Sequence, residues 1–145
     1  SLGEAIALYQ SGNYDGAFGK LIEAKRLGQE RKIDPNFPTQ LLGYLALVQD
    51  KKGMWLEAMG NYERFLREPI GLRSVELTTQ VKAGIERLEA RLGKVELHVR
   101  PTGTECQVRS LWLKPGGQDV LISGRRYRVD PEPGKTQIRP FDGCK

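Results

Sequence analysis

Acid–base chemistry near neutral pH would fall first to histidine, and the chain has one, His98. It alternates with Val95, Leu97 and Val99, so it reads as a strand residue with a hydrogen-bonded structural role rather than a general base. Glu86 and Glu89 are three apart on one helical face, as carboxylates of a solvated face often are. No glycine-rich phosphate loop leads into a helix, and HExxH, GxSxG and CxxC are all missing. Cys106, Cys144 and one distant histidine cannot furnish the four ligands of a structural zinc site. The expectation is a protein that is not an enzyme, with no cofactor and no metal.

Two features remain that could still do chemistry. Cys106 and Cys144 flank most of the second half of the chain. In an oxidising compartment they could close one long loop, worth roughly 2–4 kcal/mol, and in a reducing one they would be two thiols. Arg125, Arg126 and Arg128 surround Tyr127. With a period of two, Arg126 and Arg128 share one face and Arg125 and Tyr127 the other. Such a basic strand could meet a nucleic acid or an anionic polymer. Charge points the same way: residues 94–145 carry 10 Lys+Arg against 6 Asp+Glu, while residues 1–93 carry 13 against 12. No ribonucleoprotein-type motif accompanies it, so nucleic acid is the lesser expectation.

The elements that must position these residues change character near Gly93. Before it the pattern is helical. Ala5 and Leu8 form a short apolar face that ends at Gly12-Asn13, where Asn13 can cap the next helix. Tyr14, Ala17, Phe18, Leu21, Ile22 and Ala24 continue at three- and four-residue spacing. Residues 28–38, with Pro35 and Pro38, read as a loop. Thr39 can cap a third helix bearing Leu41, Leu42, Leu45, Ala46 and Val48, which stops at Lys51-Lys52-Gly53. A fourth helix carries Trp55, Ala58, Met59, Tyr62, Phe65 and Leu66 and ends at Pro69. A fifth runs over 74–92 with Leu77, Val81, Ile85, Leu88 and Leu92 on one side. After Gly93 the period drops to two, with Val95, Leu97 and Val99 in a strand and a turn at Pro101-Thr102-Gly103. Short strands are expected at 105–109, 110–113, 119–122, 125–129 and 136–140. The fold class is α+β: a helical domain over 1–92 and a small antiparallel β-sandwich or sheet over 93–145.

The helical half repeats itself. Gly12-Asn13-Tyr14-Asp15-Gly16-Ala17 aligns with Gly53-Met54-Trp55-Leu56-Glu57-Ala58, followed by Leu21 and Tyr62, then Ala24 and Phe65. This Gly–aromatic–Ala pattern over residues 1–92 resembles the tetratricopeptide repeat, in which small residues let paired helices nest. The spacing is 41 residues against about 34 in that family, and Phe65 stands where a small residue is usual. The resemblance implies helical hairpins closed by helix 74–92, and a groove lined by the first helix of each pair. That places partner contacts on Ile6, Tyr9 and Gln10 and on Gln40, Tyr44, Leu47 and Asp50. Such a lining suits an apolar peptide, helix or strand better than an acidic tail. With only two units, self-association that completes the core is a further expectation.

Val99-Arg100-Pro101-Thr102-Gly103-Thr104-Glu105 and Val129-Asp130-Pro131-Glu132-Pro133-Gly134-Lys135-Thr136 are similar to PEGA-type domains over residues 94–142. Those are small β-domains of bacterial envelope and surface proteins. The resemblance implies a scaffold or adaptor in a periplasmic or envelope-associated complex, its β-half docking on a neighbour or a surface polymer. The residues themselves leave the cytoplasm open. No apolar run reaches the length of a membrane span. Ser1 in place of Met reads as a trimmed or processed piece, with the segments upstream of it left open.

Overall fold

The computed structural model describes residues 2–30, 37–100 and 105–145. Among these residues, five α-helices precede five strands. The helices are α1 (Leu2–Gln10), α2 (Tyr14–Glu30), α3 (Phe37–Lys51), α4 (Trp55–Arg67) and α5 (Val75–Glu89), with a 3-10 turn at Ile70–Leu72. The strands are β1 (Gly93–Val99), β2 (Gln107–Leu113), β3 (Gln118–Ile122), β4 (Arg125–Val129) and β5 (Thr136–Pro140). The fold class is therefore α+β. The chain forms two compact units that part between residues 86 and 87, inside α5. None of the described helices is long and apolar enough to cross a membrane.

The aligned segments of the helical unit have the same backbone. At the end of α1, the Gly12 amide donates to Tyr9 O (3.1 Å) and the Asn13 amide to Leu8 O (2.9 Å). At the end of α3, the Gly53 amide donates to Asp50 O (3.1 Å) and the Met54 amide to Gln49 O (2.9 Å). Both pairs are the crossed bonds that satisfy the last carbonyls of a helix, and they need a residue with positive φ. Gly12 (φ 85°) and Gly53 (φ 80°) supply it. Asn13 Oδ1 then accepts the Gly16 amide (2.9 Å), capping α2. Ala17 and Ala58 follow, both fully buried. Gly12→Ala and Gly53→Ala should each lower stability by about 1–2 kcal/mol, the penalty for a Cβ in left-handed backbone. Equal losses in urea midpoints at constant slope would show that the two turns are equivalent.

The helices differ from the sequence expectation at the 28–38 loop. α2 continues to Glu30 and α3 begins at Phe37, so Gly28 and Phe37-Pro38 are helical. Gly28 has a packing reason, since a Cβ there would lie 2.6 Å from Phe37 Cε1. Pro38 is tolerated because the first turn of a helix needs no amide donor. Thr39 is thus not a cap but a buried residue of that first turn. Pro35 and the centre of the expected loop lie outside the described residues, as does the turn expected at Pro101-Thr102-Gly103. Ser74 caps α5, its Oγ accepting the Leu77 amide at 3.1 Å.

Two glycines let α5 close on the hairpins. A Cβ on Gly43 would stand 2.7 Å from Leu77 Cδ2 and 3.0 Å from Phe65 Cε2. A Cβ on Gly84 would stand 2.6 Å from the Tyr62 ring. Leu77, Phe65 and Tyr62 are all buried, so bare backbone on α3 and α5 is what gives them room.

In the β-unit, β1 is the central strand of a three-stranded sheet ordered β2-β1-β5. Its inward residues Val95, Leu97 and Val99 are fully buried, each worth roughly 1.5–3 kcal/mol of burial. They cluster with Leu113 of β2 and with Ile122, Tyr127 and Val129 of the β3–β4 hairpin. Ser123 (φ 50°) and Gly124 (φ 80°) make that hairpin's two-residue turn, whose twist matches its strands. The segments 105–109 and 110–113, expected as two strands, are one strand, β2, paired along the whole of β1. The antiparallel expectation also fails at one edge: β5 runs parallel to β1, in register from Lys94↔Thr136 to His98↔Pro140. The sheet is mixed. The reason lies at 132–135, where the Gly134 amide donates to Leu92 O (2.9 Å) and the Lys94 amide to Lys135 O (2.9 Å). These bonds pin the incoming chain to the start of β1, so β5 leaves in the direction of β1.

Candidate interaction surface

α1 and α3 bring part of the expected groove together. Tyr9 and Tyr44 lie with ring centroids 6.5 Å apart and planes at 70°, edge to face. Tyr14 extends the row, its centroid 5.8 Å from that of Tyr9. All three rings are half-buried, packed against a core of Ala5, Ala17, Leu21, Ala24, Leu41, Leu45 and Val48. Ile6 and Gln40 are half-buried, and Gln10 is exposed. Burial, and secondarily the Glu76 carboxylate, raise the Tyr44 pKa above the ordinary tyrosine value. Glu76 of α5 is exposed, and the next residue, Leu77, packs where a Gly43 Cβ would stand. Local spacing carries no sign of that approach, because Leu77 reaches α3 through the space Gly43 leaves.

Leu47 and Asp50 are buried, at 6% exposure each. Asp50 Oδ2 accepts the Tyr62 hydroxyl at 2.7 Å, and the neighbouring Gln49 Oε1 accepts Asn61 Nδ2 at 2.7 Å. These bonds join α3 to α4. A buried hydroxyl needs a partner, and Asp50 supplies one to Tyr62. A concavity of about 220 Å³ lies among α2, α3 and α4, with Leu41, Leu42, Leu45, Lys25, Arg64 and Glu68 in its lining.

The basic strand is partly neutralised. Arg125 Nη2 pairs with Asp142 Oδ1 (2.9 Å) and its Nη1 donates to Arg100 O (3.1 Å). Arg128 Nη1 lies 3.4 Å from Asp119 Oδ1. Arg126 is exposed, opposite Leu121 in the hairpin. His98 Nε2 lies 2.8 Å from Glu96 Oε1 on the face of β1 away from the core. Among the described residues, no group of three or more His, Cys, Asp or Glu side chains is placed to hold a metal.

Asp142 organises the far end of the β-unit. Its Oδ2 accepts the Tyr127 hydroxyl (2.7 Å) and lies 3.4 Å from the Arg100 amide. Two residues on, Cys144 is bonded to Cys106, and Arg100 Nε lies 3.2 Å from Cys106 Sγ. The hydrogen bond from Tyr127 is the main influence holding the Asp142 carboxyl below its ordinary pKa, helped by the Arg100 amide and the Arg125 charge. Tyr127 is raised by burial and then by that carboxylate. A carboxyl lowered on folding stabilises the fold above its unfolded pKa, and that contribution is lost as pH falls through the folded value. Asp142→Asn should thus flatten the decline in stability of the β-unit below about pH 4. Urea midpoints across acidic pH, compared with those of the unaltered chain, test this; parallel curves would remove Asp142 from that role.

No family model, curated protein or solved structure matches the chain.

Proposed function

We propose that this is a non-enzymatic interaction protein whose helical unit captures a segment of a partner protein on the α1–α3 face. The observation that carries the reading is the Tyr9–Tyr44 pair, two half-buried rings on the first helices of two hairpins with the same turn. Half-buried aromatic rings offer a large contact area for little loss of side-chain freedom, as recognition surfaces do. The equivalent turns, the buried Ala17 and Ala58 and the docked α5 support a tetratricopeptide-like arrangement, with Ile6, Gln10 and Gln40 beside the two tyrosines. In this reading the β-unit is PEGA-like and docks on a neighbour or a surface polymer, and the assembly belongs to a bacterial envelope.

Tyr44→Lys should abolish capture of the partner from an envelope extract while circular dichroism shows the helices intact. Gln10→Arg, an exposed position on the same face, is the parallel bait. Capture that is equal for both variants and the unaltered chain would count against this surface. A second reading, a polyanion-binding β-unit, rests on exposed Arg126. It requires affinity that falls steeply with salt, because phosphate contacts release counterions.

A further inference from the structure

Among the described residues, four strands of the β-unit have one edge without a neighbouring strand: β2 and β5 in one sheet, β3 and β4 in the other. Such an edge offers amides and carbonyls to a further strand unless something blunts it. β3, β4 and β5 are five residues long. β4 carries three arginines, and β5 ends in Pro140, which has no amide to give. β2 has none of these defences. It runs for seven residues, Gln107–Leu113, without proline or glycine and with one charge, Arg109. Its first four residues are all exposed, although Val99 and Leu97, opposite Gln107 and Arg109, are fully buried. The core closes over β1 and stops short of the start of β2.

The side chains along this edge sort by face. Val108 and Trp112 stand on the outer face, opposite His98 and Lys94 of β1. Val108 is 55% exposed, and Trp112 is half-buried with Lys94 Nζ 5.4 Å from its ring centroid. Arg109 stands on the other face, and among the described residues it pairs with no carboxylate. An apolar row on one face and an unneutralised cation on the other suit a strand that alternates apolar and acidic residues. A second copy of this chain fits less well. Pairing β2 with itself about Ser110 would make the two Arg109 side chains diagonal neighbours, about 7–8 Å apart, where like charges repel. The bond from Cys106 to Cys144 fixes the residue before β2, so the edge is ordered before a partner arrives.

We propose that the open edge of β2 adds an extended segment of a partner protein as a further strand. An acidic residue of that segment lies beside Arg109, and apolar residues lie beside Val108 and Trp112. This rests on the reading of the β-unit as a docking unit and gives it a definite chemistry, a strand instead of a surface polymer. It does not depend on the α1–α3 face.

The full chain, its disulfide intact, is titrated with acetyl-Thr-Val-Thr-Val-Glu-Val-Thr-amide and with the same peptide carrying lysine for glutamate. Amide hydrogen exchange is followed residue by residue by NMR. Amides at every second position of β2, those that face away from β1, should gain protection as the peptide saturates. The glutamate peptide should bind roughly 2- to 10-fold more tightly than the lysine peptide, and the surface variant Arg109→Glu should reverse that order. No protection in β2 at about 10 mM peptide, equal affinity for the two peptides, or an order unchanged in Arg109→Glu would each overturn the proposal. Protection of the same amides that grows with protein concentration, with no peptide present, would give the edge to a second copy instead. Salt-dependent binding of polyphosphate, with β2 left unprotected by either peptide, would keep the docking reading and remove the strand.

Discussion

Converting Cys106 and Cys144 together to serine should lower the stability of the β-unit by about 4 kcal/mol, from the chain entropy that a bond over a separation of 38 residues removes. A unit running from residue 87 to residue 145 holds only roughly 3–9 kcal/mol at the usual 0.05–0.15 kcal/mol per residue, so this is a large share of its margin. The effect should also be local. Cys106 directly precedes β2 and Cys144 follows Asp142, so the bond closes the stretch that contains four of the five strands. Without it, the Arg100–Asp142–Tyr127 contacts would have to hold the same stretch unaided. Hydrogen exchange should show β1, β2 and β5 losing protection while α1 to α4 keep theirs. Unchanged protection of β1 and an unchanged urea midpoint would mean that side-chain packing alone fixes the unit.

The second large effect is expected at Phe65. Phe65→Ala should lower the stability of the helical unit by about 3–5 kcal/mol, because the ring is fully buried and its neighbours can close only partly over the cavity. The position has a built-in control in Gly43. A Cβ there meets Phe65 and Leu77 at 3.0 and 2.7 Å, so Gly43→Ala alone should cost about 1–3 kcal/mol from overpacking, offset by about 1 kcal/mol of improved helix propensity. In the Phe65→Ala background the clash is relieved, and Gly43→Ala should become neutral or stabilising, a coupling of roughly 0.5–3 kcal/mol. Additive losses would show that the two residues do not share a space.

That pair also shows where the sequence was legible. The Gly–aromatic–Ala repeat marks both hairpin turns because glycine is needed for left-handed backbone and alanine for close helices, and both demands are local. Phe65, in a place the repeat usually gives to a small residue, looked like a departure. Its compensation, Gly43, sits 22 positions earlier in the sequence, and no local pattern links the two. The same limit left the approach of Leu77 to Gly43 and the burial of Leu47 and Asp50 unread. Helical periodicity orders residues around an axis, but it does not say which neighbour covers each face. In the β-unit, alternation located β1 and the hairpin. Strand direction is not written in alternation, however, so parallel β5 had to come from the anchoring of 132–135 at the start of β1. Asp142 was missed because its partners, Tyr127 and Arg100, are 15 and 42 residues away.

Parallel β5 also orders events in time. Each helical hairpin is complete within a few tens of residues, so the helical unit can form while later segments are still being synthesised. β1 has no such freedom. Its second edge must wait for Thr136, the partner of Lys94. Until that strand has left the ribosome, the central strand of the sheet carries an open row of amides and carbonyls, the kind of edge to which another chain can add. The interval between β1 and β5 is therefore when the nascent protein is most exposed to mispairing, and when a chaperone would matter most.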